Sequence, residues 1–138
     1  MIRKGVSILA GLGLIGGAGS VIYNDHGDAT VKIKDGAGHV STVQIKAAPG
    51  SKKYQCSDGT SKKLDAYNIT AGRIELTLQA TRRVERSIER KYPGKKLPSQ
   101  ADALMYKAMV TRETKLIRAY NVQIDAHNAL LQSDCSTN

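Results

Sequence analysis

Aromatic residues and cysteines are scarce in this chain, and basic residues outnumber acidic ones. Trp and Phe are absent and the aromatic residues are six Tyr, which argues against an aromatic ligand cage or a base-stacking platform. Two cysteines are too few for a four-cysteine zinc cluster or a dense disulfide scaffold. His26, His39 and His127 have no partners at metal-ligand spacing. With no catalytic, metal-ligating or cofactor-binding set, we expect a non-enzymatic protein.

A basic start and an uncharged apolar run open the sequence. Arg3 and Lys4 precede residues 6–23, a run of 18 residues without charge that is typical of a secretory signal or an amino-terminal membrane helix. A helix of that length reaches about 27 Å, close to the ~30 Å hydrocarbon core of a bilayer. Small residues around Ala18 and Ser20 also offer cleavage sites, so retention and cleavage both stay open. We expect residues 1–23 to be a membrane anchor with a cytoplasmic N-terminus and an extracytoplasmic domain after it, or a signal whose cleavage would leave a secreted or periplasmic protein.

Residues 11–16 also form a G-x-G-x-x-G sequence, which is typical of the phosphate-binding turn of a nicotinamide-dependent dehydrogenase. That turn opens a helix, and the fold needs further alternation of strands and helices downstream. The residues that follow Gly16 are poor formers of a soluble helix, and the later sequence shows no such alternation. Nicotinamide binding is therefore a minor alternative.

Residues 24–60 predict a linker and a small β-sheet. Apolar and polar residues alternate over residues 29–34 and 39–46, on either side of a turn at residues 35–38. The pattern indicates an antiparallel hairpin with one apolar face, and residues 53–56 could add a short third strand. Because an isolated hairpin is marginally stable, we expect it to pack on another element.

Residues 61–138 predict a long antiparallel helical hairpin. A mainly apolar seam recurs in alternating steps of three and four from Leu64 to Tyr92 and from Ala103 to Leu131. Near the loop the seam includes Glu85 and Glu113, and Arg82 and Arg86 lie close enough to pair with Glu113 across the hairpin. Pro93 ends the first helix, and Ser99 is placed to cap the second.

Pairing the two helices around their loop places Ile74 opposite Ile117. The same register brings Cys56 opposite Cys135, so we expect a disulfide at the open end of the hairpin. The predicted fold class is α+β: an N-terminal apolar helix, a small sheet, and a helical hairpin closed by a disulfide, with residues 24–138 forming one domain.

Basic residues concentrate where the two helices are joined. The cluster comprises Arg82, Arg83, Arg86, Arg90, Lys91, Lys95 and Lys96. Its simplest interpretation is a solvated helix face, with Glu85 and Glu89 as salt-bridge partners one turn apart. Its functional interpretation is docking to anionic lipid, an envelope polymer or an acidic protein. The scarcity of aromatic residues and the expected export argue against nucleic acid.

A second apolar stripe, formed by Met105, Met109 and Leu116, lies beside the predicted seam of the second helix. It could receive the β-hairpin, a protein partner or a second copy of the chain.

Together these features predict a structural or binding component of a cell envelope. The alternative is an envelope protein of phage or plasmid type, such as a lysis factor or a secretion-machinery subunit. The layout is similar in outline to inner-membrane spanins, with a basic start, one apolar span, long helices and Cys135 near the carboxyl terminus. The β-hairpin at residues 29–46 departs from that pattern.

Overall fold

The computed structural model describes residues 14–24, 27–46, 54–94 and 99–137. The elements in chain order are strands β1 (Ala18–Tyr23), β2 (Ala29–Lys34), β3 (Val40–Ile45) and β4 (Tyr54–Gln55), helices α1 (Asp58–Lys91) and α2 (Gln100–Asp134), and strand β5 (Ser136–Thr137). Strands β1, β2 and β3 form an antiparallel sheet with β2 in the centre. The predicted α+β class is confirmed for the sheet and the helical hairpin.

The predicted β-hairpin is confirmed as β2 and β3. The side chains on one face of the two strands are buried, namely those of Ala29, Val31, Ile33, Val43 and Ile45. The Asp35 carboxylate holds the turn, because its Oδ1 accepts hydrogen bonds from the backbone N–H groups of Ala37 and His39, each 2.9 Å long. The alternation in the sequence therefore corresponds to one buried and one exposed face.

Helix α1 contacts both the sheet and α2, and so forms the middle layer. The sheet approaches α1 closely at Gly72, where an added Cβ would lie 2.8 Å from the Cγ1 atom of Val31. A side chain at this position would collide with a buried, β-branched neighbour, so glycine allows the two layers to meet.

Strand β1 occupies residues that the sequence predicted as the end of an apolar helix. It pairs with β2 from Ala18, opposite Lys34, to Tyr23, opposite Ala29. The predicted helix over residues 6–23 is therefore wrong for residues 14–23, and its remainder lies outside the described residues. A short uncharged run of small and β-branched residues suits an edge strand as well as a membrane helix, which is why composition alone did not separate them. The folded domain thus includes residues 14–23, ahead of the predicted boundary at residue 23.

The same strand removes the structural basis for nicotinamide binding. Gly16 is followed by β1, whereas a dinucleotide-binding turn needs a helix there. Residues 11–13 lie outside the described residues. The carbonyl of Gly17 accepts a hydrogen bond from the Arg73 guanidinium, and the N–H of Ile15 donates to Thr77 Oγ1 at 3.0 Å. Residues 15–17 are therefore held along α1.

The open end of the hairpin carries the predicted disulfide, which is confirmed. Cys56 and Cys135 are bonded within one chain across a separation of 79 residues. The third strand expected at residues 53–56 is present as β4, but it pairs with β5 instead of the β2–β3 hairpin. This two-stranded ribbon and the disulfide together tie the start of α1 to the end of α2.

The two long helices have the predicted ends and direction. The cap predicted at Ser99 is confirmed, since its hydroxyl accepts a hydrogen bond from the N–H of Asp102 at 3.3 Å. Helix α1 ends at Lys91, just before Pro93. Its predicted seam is buried at Leu64, Ala71, Ile74, Leu78, Thr81, Glu85 and Ile88.

The contact face of α2 is centred beside the predicted seam, of which Tyr120 and Ile124 still pack, half-buried, against the core. Leu116 is 0% exposed and packs with Ile74 and Leu78, whereas Ile117 is 39% exposed. The expected pairing of Ile74 with Ile117 is therefore wrong. Two adjacent apolar stripes run along α2, and α1 packs on the one that contains Leu116 and Gln123, both of which are buried.

Candidate interaction site at the helical tip

We define the tip of the hairpin as residues 82–94, at the end of α1, and residues 99–113, at the start of α2. Polar side chains join the two helices there. Arg82 Nε donates to Glu113 Oε1 at 3.1 Å, as the predicted cross-hairpin ion pair requires. Nearer the loop, the Tyr92 hydroxyl donates to Asp102 Oδ2 at 2.6 Å. Because Tyr92 and Asp102 flank the connecting loop, this bond closes the hairpin at its end.

Two glutamates one turn apart on α1 have different surroundings. Glu89 is exposed and its Oε1 accepts a 2.7 Å hydrogen bond from the Tyr106 hydroxyl. Glu85 is only 9% exposed, and its Oε1 is buried without a hydrogen-bond partner. The sequence placed Glu85 on the seam correctly. Its expected role as a salt-bridge partner of surface arginines is not what the structure shows, because its carboxyl group points into the helix interface.

Burial and a neighbouring carboxylate change the acidity of Glu85. Desolvation, followed by the hydrogen bond with Glu113, raises the pKa of Glu85 to about 7. The same hydrogen bond, supported by Arg82, lowers the pKa of Glu113. Burial therefore favours the protonated form of Glu85, while the hydrogen bond with Glu85 and the nearby Arg82 favour the ionised form of Glu113.

The acidic groups of the tip are thus engaged inside the hairpin, and the basic side chains are left outside. Arg83, Arg86, Arg90 and Lys91 are all exposed. Within the described part of the tip, the ion pair joins Arg82 to Glu113, so Arg82 belongs to the seam rather than to the exposed cluster. Lys95 and Lys96 of the predicted cluster lie outside the described residues.

The predicted partner stripe is divided by the fold. Met105 is exposed and Met109 is half-buried, but Leu116 is enclosed in the hairpin interface. The three residues do not form one exposed surface, because α1 already covers Leu116. In the sequence, these three residues are recognised as apolar positions at helical spacing. That pattern does not distinguish a buried stripe from an exposed one.

The remaining sequence candidates are two histidines and the possible metal ligands. His39 lies 3.6 Å from Asp35 on an exposed turn, and the half-buried His127 contacts Asn128. In residues 14–24, 27–46, 54–94 and 99–137, no group of three His, Cys, Asp or Glu side chains could hold a metal ion. Nor does a helix in these ranges have the length and apolar character to cross a membrane.

The sequence acceptor Asn68-Ile69-Thr70 for N-glycosylation is also enclosed. Asn68 is 2% exposed, and its Nδ2 donates to the Tyr23 hydroxyl at 2.8 Å. That hydroxyl donates in turn to Asp65 Oδ1 at 2.9 Å, so the three side chains fasten β1 to α1.

No protein-family model, curated protein or solved structure matches the chain.

Proposed function

We propose that this protein is a non-enzymatic structural or binding component of a cell envelope, attached to a membrane through its N-terminal apolar segment and folded outside the cytoplasm. The observation that carries the proposal is the bond between Cys56 and Cys135. Disulfides of this structural kind persist in secreted and extracytoplasmic proteins and are rare in the cytosol.

The fold favours retention of the amino-terminal segment. Cleavage near Ala18 or Ser20 would cut β1, whose residues 18–23 pair with β2. The apolar residues left outside the described fold are residues 5–13, which follow Lys4. We propose these residues as the part of the chain that contacts the membrane.

The exposed bases of the tip are the proposed binding region for an anionic partner, which could be lipid or an envelope polymer. The support is that none of the exposed bases of the tip forms a salt bridge with an acid of the described residues. A protein partner or a second copy of the chain is the other proposed contact. The outer side of α2 offers exposed apolar side chains for it, at Leu104, Val110 and Val122.

The spanin-like alternative has weaker support. A covalent assembly through Cys135 would need a free cysteine, but both cysteines of the chain are used in the intrachain bond. We therefore retain the envelope component as the proposal and regard a phage- or plasmid-type lysis factor as the alternative.

Topology in cells tests the proposal directly. A reporter that folds only in an oxidising compartment, fused after Asn138, should be active, and a reporter that requires the cytoplasm should be inactive at the same position. Thiol labelling of the unfolded, unreduced protein should find no free cysteine. Cytoplasmic reporter activity together with free thiols would refute the proposal.

A further inference from the structure

Between the sheet and the loop, the end of α1 exposes a group of basic side chains outside its contact with α2. Leu76 packs in the core that the sheet forms with α1, and Arg83 and Arg90 follow it at intervals of seven residues. Seven residues are nearly two helical turns, so all three lie on the sheet side of α1. Lys91 follows Thr77 by two such intervals and so lies on the flank of α1 along which residues 15–17 run, about 100° around the helix from the row of Leu76, Arg83 and Arg90. We call Arg83, Arg90 and Lys91 the cationic face.

These bases lack carboxylate partners in the described structure for a physical reason. The nearest acids along α1 are Glu85, buried in the α1–α2 interface, and Glu89, whose Oε1 accepts from Tyr106. The acids that α2 contributes to the tip are occupied by Arg82 and by Tyr92. The cationic face therefore has no salt-bridge partner within the described residues.

The path of the chain indicates what lies next to this face. Residues 15–17 run along α1, bound to Thr77 and Arg73, and the preceding residues are uncharged back to residue 5. The folded domain thus begins at the apolar segment without a polar spacer. Arg83 is six residues beyond Thr77, about 9 Å along the helix, and Arg90 is about 20 Å beyond it. A bilayer that holds the apolar segment would be within reach of the cationic face.

We infer that the cationic face docks on the anionic phospholipid head groups of the bilayer that holds the amino-terminal segment. This inference rests on the proposed membrane attachment. A short apolar segment binds a bilayer weakly and reversibly, and stable attachment requires a second signal such as a basic patch. Val84, which is 39% exposed and precedes Lys91 by one seven-residue interval on the same flank of α1, adds an apolar contact at the head-group boundary.

Vesicle binding of the purified, oxidised full chain tests the inference. Vesicles of phosphatidylcholine are compared with vesicles that also contain phosphatidylglycerol, by co-sedimentation over a range of salt. Each base near an anionic surface strengthens binding about fivefold, so the triple variant Arg83→Gln/Arg90→Gln/Lys91→Gln should weaken binding to phosphatidylglycerol vesicles by up to about a hundredfold. Wild-type binding should also fall as salt rises.

The matched control removes the same charge from the exposed side of α2, with Lys107→Gln/Lys115→Gln/Arg118→Gln. It should weaken binding by less than about threefold, because those bases lie in the layer on the far side of α1. The double variant Arg83→Lys/Arg90→Lys keeps three positive charges, because residue 91 is already a lysine. It should bind phosphatidylglycerol vesicles as wild type does. All variants should show the wild-type circular dichroism spectrum, because the replaced side chains are exposed.

The outcomes separate this inference from the proposed function. If wild type binds both kinds of vesicle equally, the apolar segment attaches the protein and the inference about the cationic face is wrong. Equal weakening by the two triple variants would show that net charge alone acts, which also overturns it. Polyphosphate serves as a soluble anionic polymer for comparison. If wild type binds polyphosphate but not phosphatidylglycerol vesicles, the ligand is a polymer and the inference about lipid head groups is wrong. Failure to bind either vesicle would count against both the inference and the membrane attachment.

Discussion

At the scale of the residue, Glu85 shows how position decides chemistry. Glu85 and Glu89 are one turn apart and look alike in the sequence, yet one is buried at the helix interface and the other is exposed. The heptad spacing placed Glu85 on the seam, but spacing does not reveal which acid will meet another carboxylate. Burial at the interface, followed by the position of Glu113 on α2, raises the pKa of Glu85, and the spacing reveals neither cause.

The titration of Glu85 gives a stability prediction. Its folded pKa of about 7 lies above the ordinary value of 4.5, so the stabilisation is fully present below about pH 4.5 and is lost as pH rises through 7. Glu85→Gln keeps a neutral donor beside Glu113. We expect this variant to be more stable than wild type at pH 8, by roughly 1–3 kcal/mol, and to flatten the decline of the melting temperature between pH 5 and 8.

Thermal unfolding across that pH range measures the effect, with Glu89→Gln as the control that removes a carboxylate from an exposed site on the same helix. Glu113 changes stability with pH in the opposite direction, since its pKa is lowered on folding and the stabilisation it gives is lost in acid. Its effect therefore falls at lower pH than that of Glu85. An equal shift in both variants would mean that net charge, and not the burial of Glu85, sets the pH dependence.

At the scale of the element, local patterns predicted the parts that local chemistry determines. The β2–β3 hairpin follows from alternation around Asp35, and the ends of the helices follow from Ser99 and Pro93. Strand β1 was not predicted because it forms by pairing with β2, and an uncharged run of residues does not reveal that contact. The rotation of α2 was missed for a similar reason: neighbouring stripes that contain Leu116 and Ile117 are both apolar.

That rotation can be measured with adjacent residues of similar size. Leu116→Ala should destabilise the protein by about 2–5 kcal/mol, because Leu116 is enclosed against Ile74 and Leu78. Ile117→Ala should cost less than about 1 kcal/mol, since its side chain is largely outside that contact. Chemical denaturation gives both values. Equal costs would contradict the face of α2 described above.

At the scale of the whole molecule, the disulfide adds a covalent link to a layered structure that is otherwise held by packing on the two sides of α1. The sheet packs on α1 around Gly72, and the tip is joined by Arg82 and Glu113. Neither set of contacts links the start of α1 to the end of α2. The bond between Cys56 and Cys135, together with the short β4–β5 ribbon, makes that link.

Removing the bond should therefore lower global stability without changing the tip. The closed loop of 79 residues corresponds to about 4–5 kcal/mol in the chain-entropy account, mostly through restriction of the unfolded chain. The double variant Cys56→Ser/Cys135→Ser should unfold at lower denaturant by that amount, and reduced wild type should match it. Glu85 lies about 40 Å from Cys56 along α1, so the effect of Glu85→Gln should add to that of the double variant within about 0.5 kcal/mol. A loss of the Glu85 effect in the double variant would show that the tip depends on the cross-link, and that the two ends of the hairpin fold as one tightly coupled unit.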